Sequence, residues 1–389
     1  MIILDKMPPA KEFYETYWGQ RPFIVRQAVD PASFDGFIDG DTLAGLALEE
    51  EDVKSRIVTT APEGGKWECE HGPFEEDRFD DIGDTNWSLL VQNVEQYHTD
   101  TANLLKYFNF TPRWLLDDIM VSFSATGGSV GPHTDSYHVF LVQGAGRRIW
   151  KVGNEPVQNE QCIEGLDLKV LKDGVDGEEI EVSIGDVIYI PPLFAHEGTT
   201  LETAMTFSVG FLGPKMSELF VEYGHYLENL EEQDKRYTGD SLNNSAGVTM
   251  APDTQNTIKD GLINALQANS FIDWMVEYFS TQTESCTSEP RENTLTEEEI
   301  LARLNQGNTL HKPEFIKIVV AQRSDKSFTL SAYGANISIA SDHANLIEWF
   351  ENGSEISIES LNNKNEAIRI LTHLYNQRVL FFNNEDIAA

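Results

Sequence analysis

The sequence predicts an α+β protein, in which an antiparallel β-barrel or jelly roll precedes helices and a small terminal α+β unit. Between Asp118 and Gly213, short strands alternate with glycine turns and no helical period intervenes, which is typical of antiparallel barrels. After Gly213-Pro214, apolar residues recur at i, i+3 and i+4, which indicates helices. The length of 389 residues, 40% of them hydrophobic, supports a large core and two or three domains.

The residues before the barrel predict short mixed elements. Pro8-Pro9 suit the first turn of a helix, and a second helix is expected to begin at Asp41, its predicted N-cap. The remaining N-terminal predictions are a strand at residues 23–26, loops at 62–84, an extended segment at 87–92 and a helix at 103–108.

The barrel strands are predicted from alternating apolar runs that are bounded by turn residues. They cover residues 120–124, 140–143, 148–152, 180–182, 187–190 and 204–211. Gly144-Ala145-Gly146 separates the second run from the third and predicts a hairpin turn.

The C-terminal half divides into two further predicted domains. Residues 217–230 and 257–279 form helices within a segment, 214–294, that is expected to mediate dimerisation and to end in a polar linker. Residues 295–389 then follow the element order of a winged helix. This last domain has 13 acidic and 8 basic side chains, so protein contact is a better expectation for it than DNA binding. The first domain is residues 1–213.

Charge and composition limit the classes of partner. The formal net charge is −36, which repels nucleic acid and anionic membranes and attracts a basic protein; adaptation to a salty or cold habitat explains it equally well. No apolar run is long enough to span a membrane, and the first residues lack a signal peptide, so a cytoplasmic location is expected. The three cysteines, Cys69, Cys162 and Cys286, indicate neither a disulfide framework nor a thiolate zinc site.

His133-Thr134-Asp135, followed by His196, predicts a metal centre. Two imidazoles and one carboxylate are the ligands of a facial triad, which holds one side of an octahedral Fe(II) and leaves three positions open for a co-substrate and dioxygen. An extended strand would place His133 and Asp135 on one face, and the third ligand comes from a second strand. The bound ion would retain one positive charge and attract an anionic keto acid.

If the keto acid has a second carboxylate, far from the metal, a cation deep inside the barrel is needed to bind it. Strand alternation puts Arg148 on the opposite face from Arg147 and Lys151. Since Lys151 should face water, Arg148 is the predicted inward residue and Arg147 its rival.

Several motifs together resemble one known family. They are Trp18-Gly19-Gln20-Arg21-Pro22, Gly65-Lys66-Trp67, His71-Gly72-Pro73-Phe74, the run 85–92, Gly131-Pro132-His133-Thr134-Asp135, the runs 143–150 and 185–192, and His196-Glu197-Gly198. With these motifs, the chain resembles the bacterial JmjC-type ribosomal oxygenases, cupin-like enzymes that hydroxylate an arginine of a large-subunit ribosomal protein. The resemblance is strong over about residues 10–213 and looser beyond.

The resemblance implies a double-stranded β-helix of the cupin/JmjC type, a helical dimerisation segment and a winged-helix-like terminal domain. It also implies that Fe(II), 2-oxoglutarate and dioxygen give an arginine hydroxylated at C3, succinate and carbon dioxide. Arg148 and Ser122 would bind 2-oxoglutarate, and no catalytic residue beyond the metal ligands is expected. The implied substrate pocket consists of Asp118, Met120, Tyr137 and Ser208; Asp118 has an equally good structural role as a cap, and Ser208 as a small interior residue.

Two other functions remain open from the residues alone. One is a cupin-type metal dioxygenase that acts on a small molecule, which Arg148 and the long helical extension disfavour. The other is a non-catalytic acidic partner of a basic ribosomal protein, which an intact metal-ligand set disfavours.

Overall fold

The structure is a computed structural model. It describes residues 1–49, 53–61, 66–230, 236–239, 248–281, 290–341, 344–352, 355–361 and 364–385. Outside these ranges lie Cys286, Gly65, parts of the predicted loops at 62–84 and much of the polar linker, residues 281–294, with which the predicted segment 214–294 ends.

The chain forms two compact units. The first is Met1–Gly213 with Pro313–Phe315, and the second comprises Pro214–Lys312 and Ile316–Asp386. The predicted subdivision of the second half at residue 294 stays a prediction, because both of its parts fall within the second unit.

Within its described residues, the first unit is built around a ten-stranded sheet. Its strands are β1 (Ile2–Leu4), β2 (Phe23–Val25), β3 (Ser55–Thr59), β4 (Glu68–His71), β5 (Trp87–Val91), β6 (Leu116–Ser124), β7 (His138–Pro156), β8 (Gly177–Val182), β9 (Val187–Ile190) and β10 (Phe194–Phe211). The strand order is β1-β2-β9-β7-β10-β6-β5-β3-β4, with β8 paired to β7. Every pairing except β1 with β2 is antiparallel, as the strand pattern predicts.

The predicted hairpin turn at Gly144-Ala145-Gly146 is wrong. Strand β7 runs through these residues without a break beside the equally long β10, and the register between the two strands shifts around residues 200–206. The glycines are needed for close approach: a Cβ on Gly144 would clash with the ring of Phe207, and one on Gly146 with the carbonyl of Thr203. Strands β7 and β10 therefore both continue past the register shift and do not end at a turn.

Short helical elements precede the barrel strands. They are α1 (Ala10–Glu12), a π-helical turn (Phe13–Tyr17), a 3-10 turn (Pro31–Gly36), α2 (Gly40–Leu46), α3 (Glu76–Asp80), α4 (Val94–Tyr97), α5 (Thr99–Ala102) and the 3-10 turns Asn103–Phe108 and Arg113–Leu115. The predicted N-cap of α2, Asp41, is wrong: the Asp39 carboxylate accepts a hydrogen bond from the Thr42 amide at 2.8 Å and caps the helix instead.

The two faces of the sheet bury different sets of side chains. One face packs against the N-terminal elements through a large apolar core that includes Phe13, Ile57 and Phe207. The other face contributes to a smaller apolar cluster that includes Leu141, Trp150 and Phe194. Because successive strand residues point to opposite faces, the second face also receives the polar side chains that matter for function.

In the part of the second unit that the structure describes, there are helices and two small sheets. Its elements are α6 (Met216–Asn229), α7 (Pro252–Gln267), α8 (Asn269–Ser280), α9 (Glu297–Asn305), β11 (Leu310–His311), β12 (Ile318–Gln322), β13 (Phe328–Ala332), β14 (Ala335–Ile339), α10 (Ala344–Asn352), α11 (Lys364–Asn376) and β15 (Phe381–Phe382). The single helix predicted over residues 257–279 is in fact two, since Ala268 has extended backbone angles, φ −72° and ψ 153°. Among the helices of the described residues, none has the length and apolarity to cross a membrane.

Candidate functional site

The predicted metal ligands converge. One donor atom from each of His133, Asp135 and His196 lies within 4.8 Å of the other two, and the Asp135 Oδ2 to His196 Nε2 distance is 3.4 Å. The two imidazole rings have centroids 4.2 Å apart. The neighbouring His133 and Asp135 and the distant His196 thus face one common point, as the sequence predicts.

Backbone pairing fixes this convergence. The amide of His133 donates to the carbonyl of His196 at 3.0 Å, and the amide of His196 donates back at 2.9 Å. The amide of Leu193 also donates to the carbonyl of Asp135, at 2.7 Å. The predicted regular strand for His133 and Asp135 is therefore wrong: they lie on an irregular segment that joins β10 through one isolated bridge.

The imidazoles are oriented for metal binding. The Nδ1 of His133 lies 2.9 Å from the carbonyl of Gly131, and the Nδ1 of His196 lies 3.0 Å from the carbonyl of Phe194. In the metal-bound form each Nδ1 would donate its proton to the carbonyl and leave Nε2 as the ligand, which is the usual arrangement around a bound metal. Without the metal, the Nε2 of His196 hydrogen-bonds the Asp135 carboxylate.

The charge states also fit a divalent metal. Burial, with the neighbouring His196, lowers the pKa of His133 to about 4. For Asp135, burial by itself would raise the pKa, but the hydrogen bond and charge of His196 outweigh it and lower the pKa to about 2. At neutral pH His133 is neutral and the Asp135 carboxylate is ionised, and these are the forms that bind Fe(II) or a similar ion.

Acid should destabilise the metal-free protein through its buried histidines. Burial lowers the pKa of His138, like that of His133, to about 4. An unfolded histidine titrates near pH ~6.5, so the unfolded state binds more protons than the folded state between about pH 6.5 and 4. The free energy of unfolding should therefore be highest above pH ~6.5, where these histidines are neutral in both states, and should decrease as the pH falls to about 4. Chemical denaturation over this range measures it.

The variant His138→Phe serves as the comparison for this pH dependence. His138 stacks on Trp18 with ring centroids 3.5 Å apart, and phenylalanine retains that contact without a titrating group. The slope of stability against pH should be shallower in the variant. An identical slope in both proteins would show that His138 does not contribute.

Arg148 lies in the interior, as strand alternation predicts. Its side chain is only 3% exposed; Nη1 donates to Thr206 Oγ1 at 3.1 Å and Nη2 donates to the carbonyl of Gly198 at 3.2 Å. Burial lowers its pKa to about 10, so it remains charged at neutral pH. Arg147, in contrast, is exposed and forms ion pairs with Glu181 and Glu202.

Other polar side chains share the interior with Arg148. Ser122, Thr206 and Gln143 are cross-strand neighbours on β6, β10 and β7, and all are buried. The Ser122 hydroxyl donates to the carbonyl of Thr206 at 3.4 Å, and the Thr206 hydroxyl donates to the Gln143 side chain at 3.3 Å. Of these three residues, only Ser122 is among the residues predicted for the site. The polar Thr206 within the apolar run 204–211 is a signal in the sequence that could have identified a second one.

The four predicted substrate-pocket residues lie on neighbouring elements. Met120 of β6 pairs with Ser208 of β10. Asp118 and Tyr137 meet beside Gly210, where a Cβ would lie 3.4 Å from Asp118 Oδ1 and 3.6 Å from the Tyr137 ring. Tyr137 also hydrogen-bonds Asp135, and burial raises its pKa. The structural role for Asp118 exists as well, since its carboxylate accepts a 3.5 Å bond from the Asn93 amide.

The other histidines and cysteines of the first unit form separate contacts. His138 Nδ1 lies 2.7 Å from the Tyr189 hydroxyl. His71 bonds Asp167 at 2.6 Å and lies 3.9 Å from the Cys69 sulfur. Cys69 and Cys162 are free thiols. In the described part of the chain, the only cluster with metal-ligand spacing is that of His133, Asp135 and His196.

Comparison with known proteins gives consistent matches. The family model for the JmjC domain matches residues 103–219. The ribosomal protein uL16 3-hydroxylase of Escherichia coli (strain K12) is 38% identical over 305 residues, which cover 77% of this chain and 79% of that protein. A probable ribosomal oxygenase of Haemophilus influenzae is 36% identical over 208 residues, covering 53% of this chain and 50% of that protein.

Solved structures agree over nearly the whole chain. The X-ray structure of E. coli YcfD has a TM-score of 0.82 at 33% identity, and covers 96% of this chain and 98% of its own. The structure of the ribosomal oxygenase YcfD from E. coli in complex with cobalt and 2-oxoglutarate has a TM-score of 0.80 at 32% identity, with the same coverage. The predicted jelly roll of the JmjC cupin type is thereby confirmed.

Proposed function

This chain belongs to the JmjC-domain ribosomal oxygenases, and we propose that it is an Fe(II)- and 2-oxoglutarate-dependent hydroxylase of a ribosomal protein. The observation that carries the proposal is the convergence of His133, Asp135 and His196 on one point, on the sheet face that also buries Arg148. A related structure that contains cobalt, a common substitute for iron, together with 2-oxoglutarate supports both assignments.

The residues of this chain divide the work between them. When bound, Fe(II) and 2-oxoglutarate supply the oxidising chemistry, in which dioxygen and 2-oxoglutarate are consumed, succinate and carbon dioxide are released, and one oxygen atom is placed on a substrate carbon. His133, Asp135 and His196 would hold the metal on one side. Arg148 would bind the far carboxylate of 2-oxoglutarate, with Ser122 nearby, because its buried guanidinium remains charged.

We propose an arginine of ribosomal protein uL16, hydroxylated at C3, as the substrate. The name of the E. coli relative supports uL16 and the 3-position, and the net charge of −36 suits a basic partner. Asp118 would accept hydrogen bonds from the substrate guanidinium beside the ring of Tyr137, with Met120 and Ser208 completing the pocket. Positioning of the target carbon is the main contribution of these four residues.

The variant Asp118→Asn tests the substrate pocket. It removes the negative charge but keeps an oxygen that accepts the Asn93 amide bond. We expect kcat/KM for a uL16 peptide to fall by about 10- to 100-fold, since a hydrogen bond to a charged group contributes about 1.5–3 kcal/mol. The affinity for 2-oxoglutarate should not change. An unaltered kcat/KM would assign Asp118 to the structural role alone.

The two other functions are separated from this proposal by one assay. Succinate formation that depends on uL16 peptide supports the hydroxylase. Succinate formation that uL16 does not stimulate supports a small-molecule dioxygenase, and binding of uL16 without any succinate supports a non-catalytic partner.

We also propose that the protein is a homodimer through residues 214–294. Several large apolar side chains are exposed on its helices, namely Met216, Phe220 and Val221 on α6 and Leu262 and Ile263 on α7. Contiguous exposed apolar residues are typical of an interface.

The double variant Phe220→Glu with Leu262→Glu should halve the mass in solution, because two charges would have to be buried in the interface. Multi-angle light scattering measures this, with Glu222→Gln on the same helix as the control. A parent protein that is already monomeric would contradict the dimer.

The location and the terminal domain complete the proposal. A substrate in the ribosome favours the cytoplasm. For residues 295–389 we propose a winged-helix-like domain, because helices precede and follow the three-stranded antiparallel sheet β12-β13-β14. Its excess of acidic over basic side chains favours contact with protein.

A further inference from the structure

One buried hydroxyl beside Arg148 has no partner. Thr200 of β10 is the cross-strand neighbour of Arg148 on β7, and its side chain is 2% exposed. Its Oγ1 has no hydrogen-bond partner within the described ranges. Paired residues of neighbouring strands point to the same face, so the hydroxyl lies on the face that carries Arg148.

The position of Thr200 is well defined. Its amide donates to the carbonyl of Gly128 at 3.0 Å, and its carbonyl accepts from the amide of Gly127 at 2.8 Å. The flanking residues Thr199 and Leu201 are exposed, so strand alternation separates them from the buried site. Thr200 is therefore anchored at the point where β10 changes register.

Arg148 has an unpaired donor as well. Its Nη1 and Nη2 are bonded to Thr206 and Gly198, but its Nε has no partner among the described residues. Buried polar atoms are rarely left unpaired, because an unpaired one keeps the cost of its desolvation. Two unpaired polar atoms on paired residues indicate a site for a ligand that accepts hydrogen bonds from both.

We propose that Thr200 is a co-substrate-binding residue, whose hydroxyl donates a hydrogen bond to the far carboxylate of 2-oxoglutarate while Arg148 Nε donates a second one. This inference rests on the proposed function and adds a residue to it. An ionised carboxylate accepts both bonds at once and neutralises the buried guanidinium.

The other nearby hydroxyls are already engaged. Ser122 donates to the Thr206 carbonyl, and Thr206 accepts from Arg148 and donates to Gln143. Of the hydroxyls of Ser122, Thr206 and Thr200, only that of Thr200 is unpaired in the described structure. On ligand binding it would gain a hydrogen bond without losing one. We therefore expect the loss of its hydroxyl to affect ligand binding and not the unliganded fold.

Calorimetric titration of the Co(II)-loaded full-length protein tests this without turnover. Thr200→Val removes the hydroxyl at nearly constant shape and should weaken 2-oxoglutarate binding by about tenfold, as expected for one hydrogen bond to a charged group. Thr200→Ser should retain most of the affinity. Succinate keeps the far carboxylate, so its affinity should fall in Thr200→Val as that of 2-oxoglutarate does. Pyruvate lacks this carboxylate and should bind the parent and Thr200→Val equally.

Thermal unfolding provides the second measurement. The midpoint of Thr200→Val without 2-oxoglutarate should equal or exceed that of the parent, and the rise caused by 2-oxoglutarate should be smaller. Thr199→Val, on the exposed face, should match the parent in both. Equal 2-oxoglutarate affinity in the parent and Thr200→Val overturns the inference, and so does an equal loss for pyruvate. A parent that binds no 2-oxoglutarate would instead overturn the proposed function itself.

Discussion

Replacing Asp135 with alanine should abolish both metal binding and 2-oxoglutarate turnover. The carboxylate is the only anionic donor of the triad, and its pKa of about 2 keeps it ionised at neutral pH. Without it, the two imidazoles alone would have to hold a divalent ion. Substitutions that merely disturb ligand orientation cost about 10- to 100-fold in affinity or activity, so loss of a ligand should exceed that range. Metal content after dialysis and succinate release measure the two effects.

Asp167→Ala is the matched control for this substitution. Asp167 is an exposed carboxylate that contacts His71 and lies outside the triad. It should leave metal content and turnover unchanged. If Asp135→Ala retained the metal and turned over 2-oxoglutarate at the parental rate, the triad could not be the metal centre.

Replacing Arg148 with methionine should weaken 2-oxoglutarate binding by about 100-fold or more and leave metal affinity unchanged. Truncating one partner of a buried, hydrogen-bonded charge pair costs about 2–5 kcal/mol. The donor atoms of the metal site belong to other residues, so the ion should still bind. Calorimetric titration of Co(II) and then of 2-oxoglutarate separates the two affinities.

The neighbouring Arg147→Met is the control for Arg148→Met, because it removes an equal charge from the exposed face of the same strand. Arg148→Lys keeps the charge but loses the forked geometry, and should lie between Arg148→Met and the parent in affinity. Equal loss of 2-oxoglutarate binding in Arg147→Met and Arg148→Met would point to a general field effect and contradict a specific contact.

The convergence of the three candidate ligands and the burial of Arg148 could be predicted from the sequence, because both follow from residue type and side-chain alternation. His133, Asp135 and His196 are a recognisable ligand set, and the alternation of side chains on β7 was enough to distinguish Arg148 from Arg147. The alternation on β7 needs only local backbone geometry. The approach of His196 to His133, in contrast, depends on a long-range backbone pairing, and the regular strand predicted for His133 and Asp135 is wrong.

The predictions that failed depended on long-range packing. Gly144 and Gly146 look like a turn in sequence, but they are glycines because Phe207 and Thr203, about sixty residues away, approach them closely. The helix predicted over residues 257–279 breaks at Ala268, although no proline or glycine marks the break. Local patterns carry no information about such neighbours.

Thr200 shows the same limit at the site itself. In the sequence it lies in Gly198-Thr199-Thr200, where alternation from His196 separates it from Thr199 but gives no sign of a contact with Arg148. Its pairing with Arg148 follows from the register between β7 and β10, which shifts immediately after it. Unpaired buried atoms become visible only once every other hydrogen bond has been assigned.

The triad and Arg148 together should enable the protein to hydroxylate a ribosomal protein. The most direct measurement is mass spectrometry of uL16 after incubation with this protein, Fe(II), 2-oxoglutarate and dioxygen, with succinate measured in the same reaction. We expect one arginine of uL16 to gain the mass of one oxygen atom, with one succinate formed for each arginine modified, and neither product with Asp135→Ala. An unmodified uL16 in a reaction that still forms succinate would contradict the account.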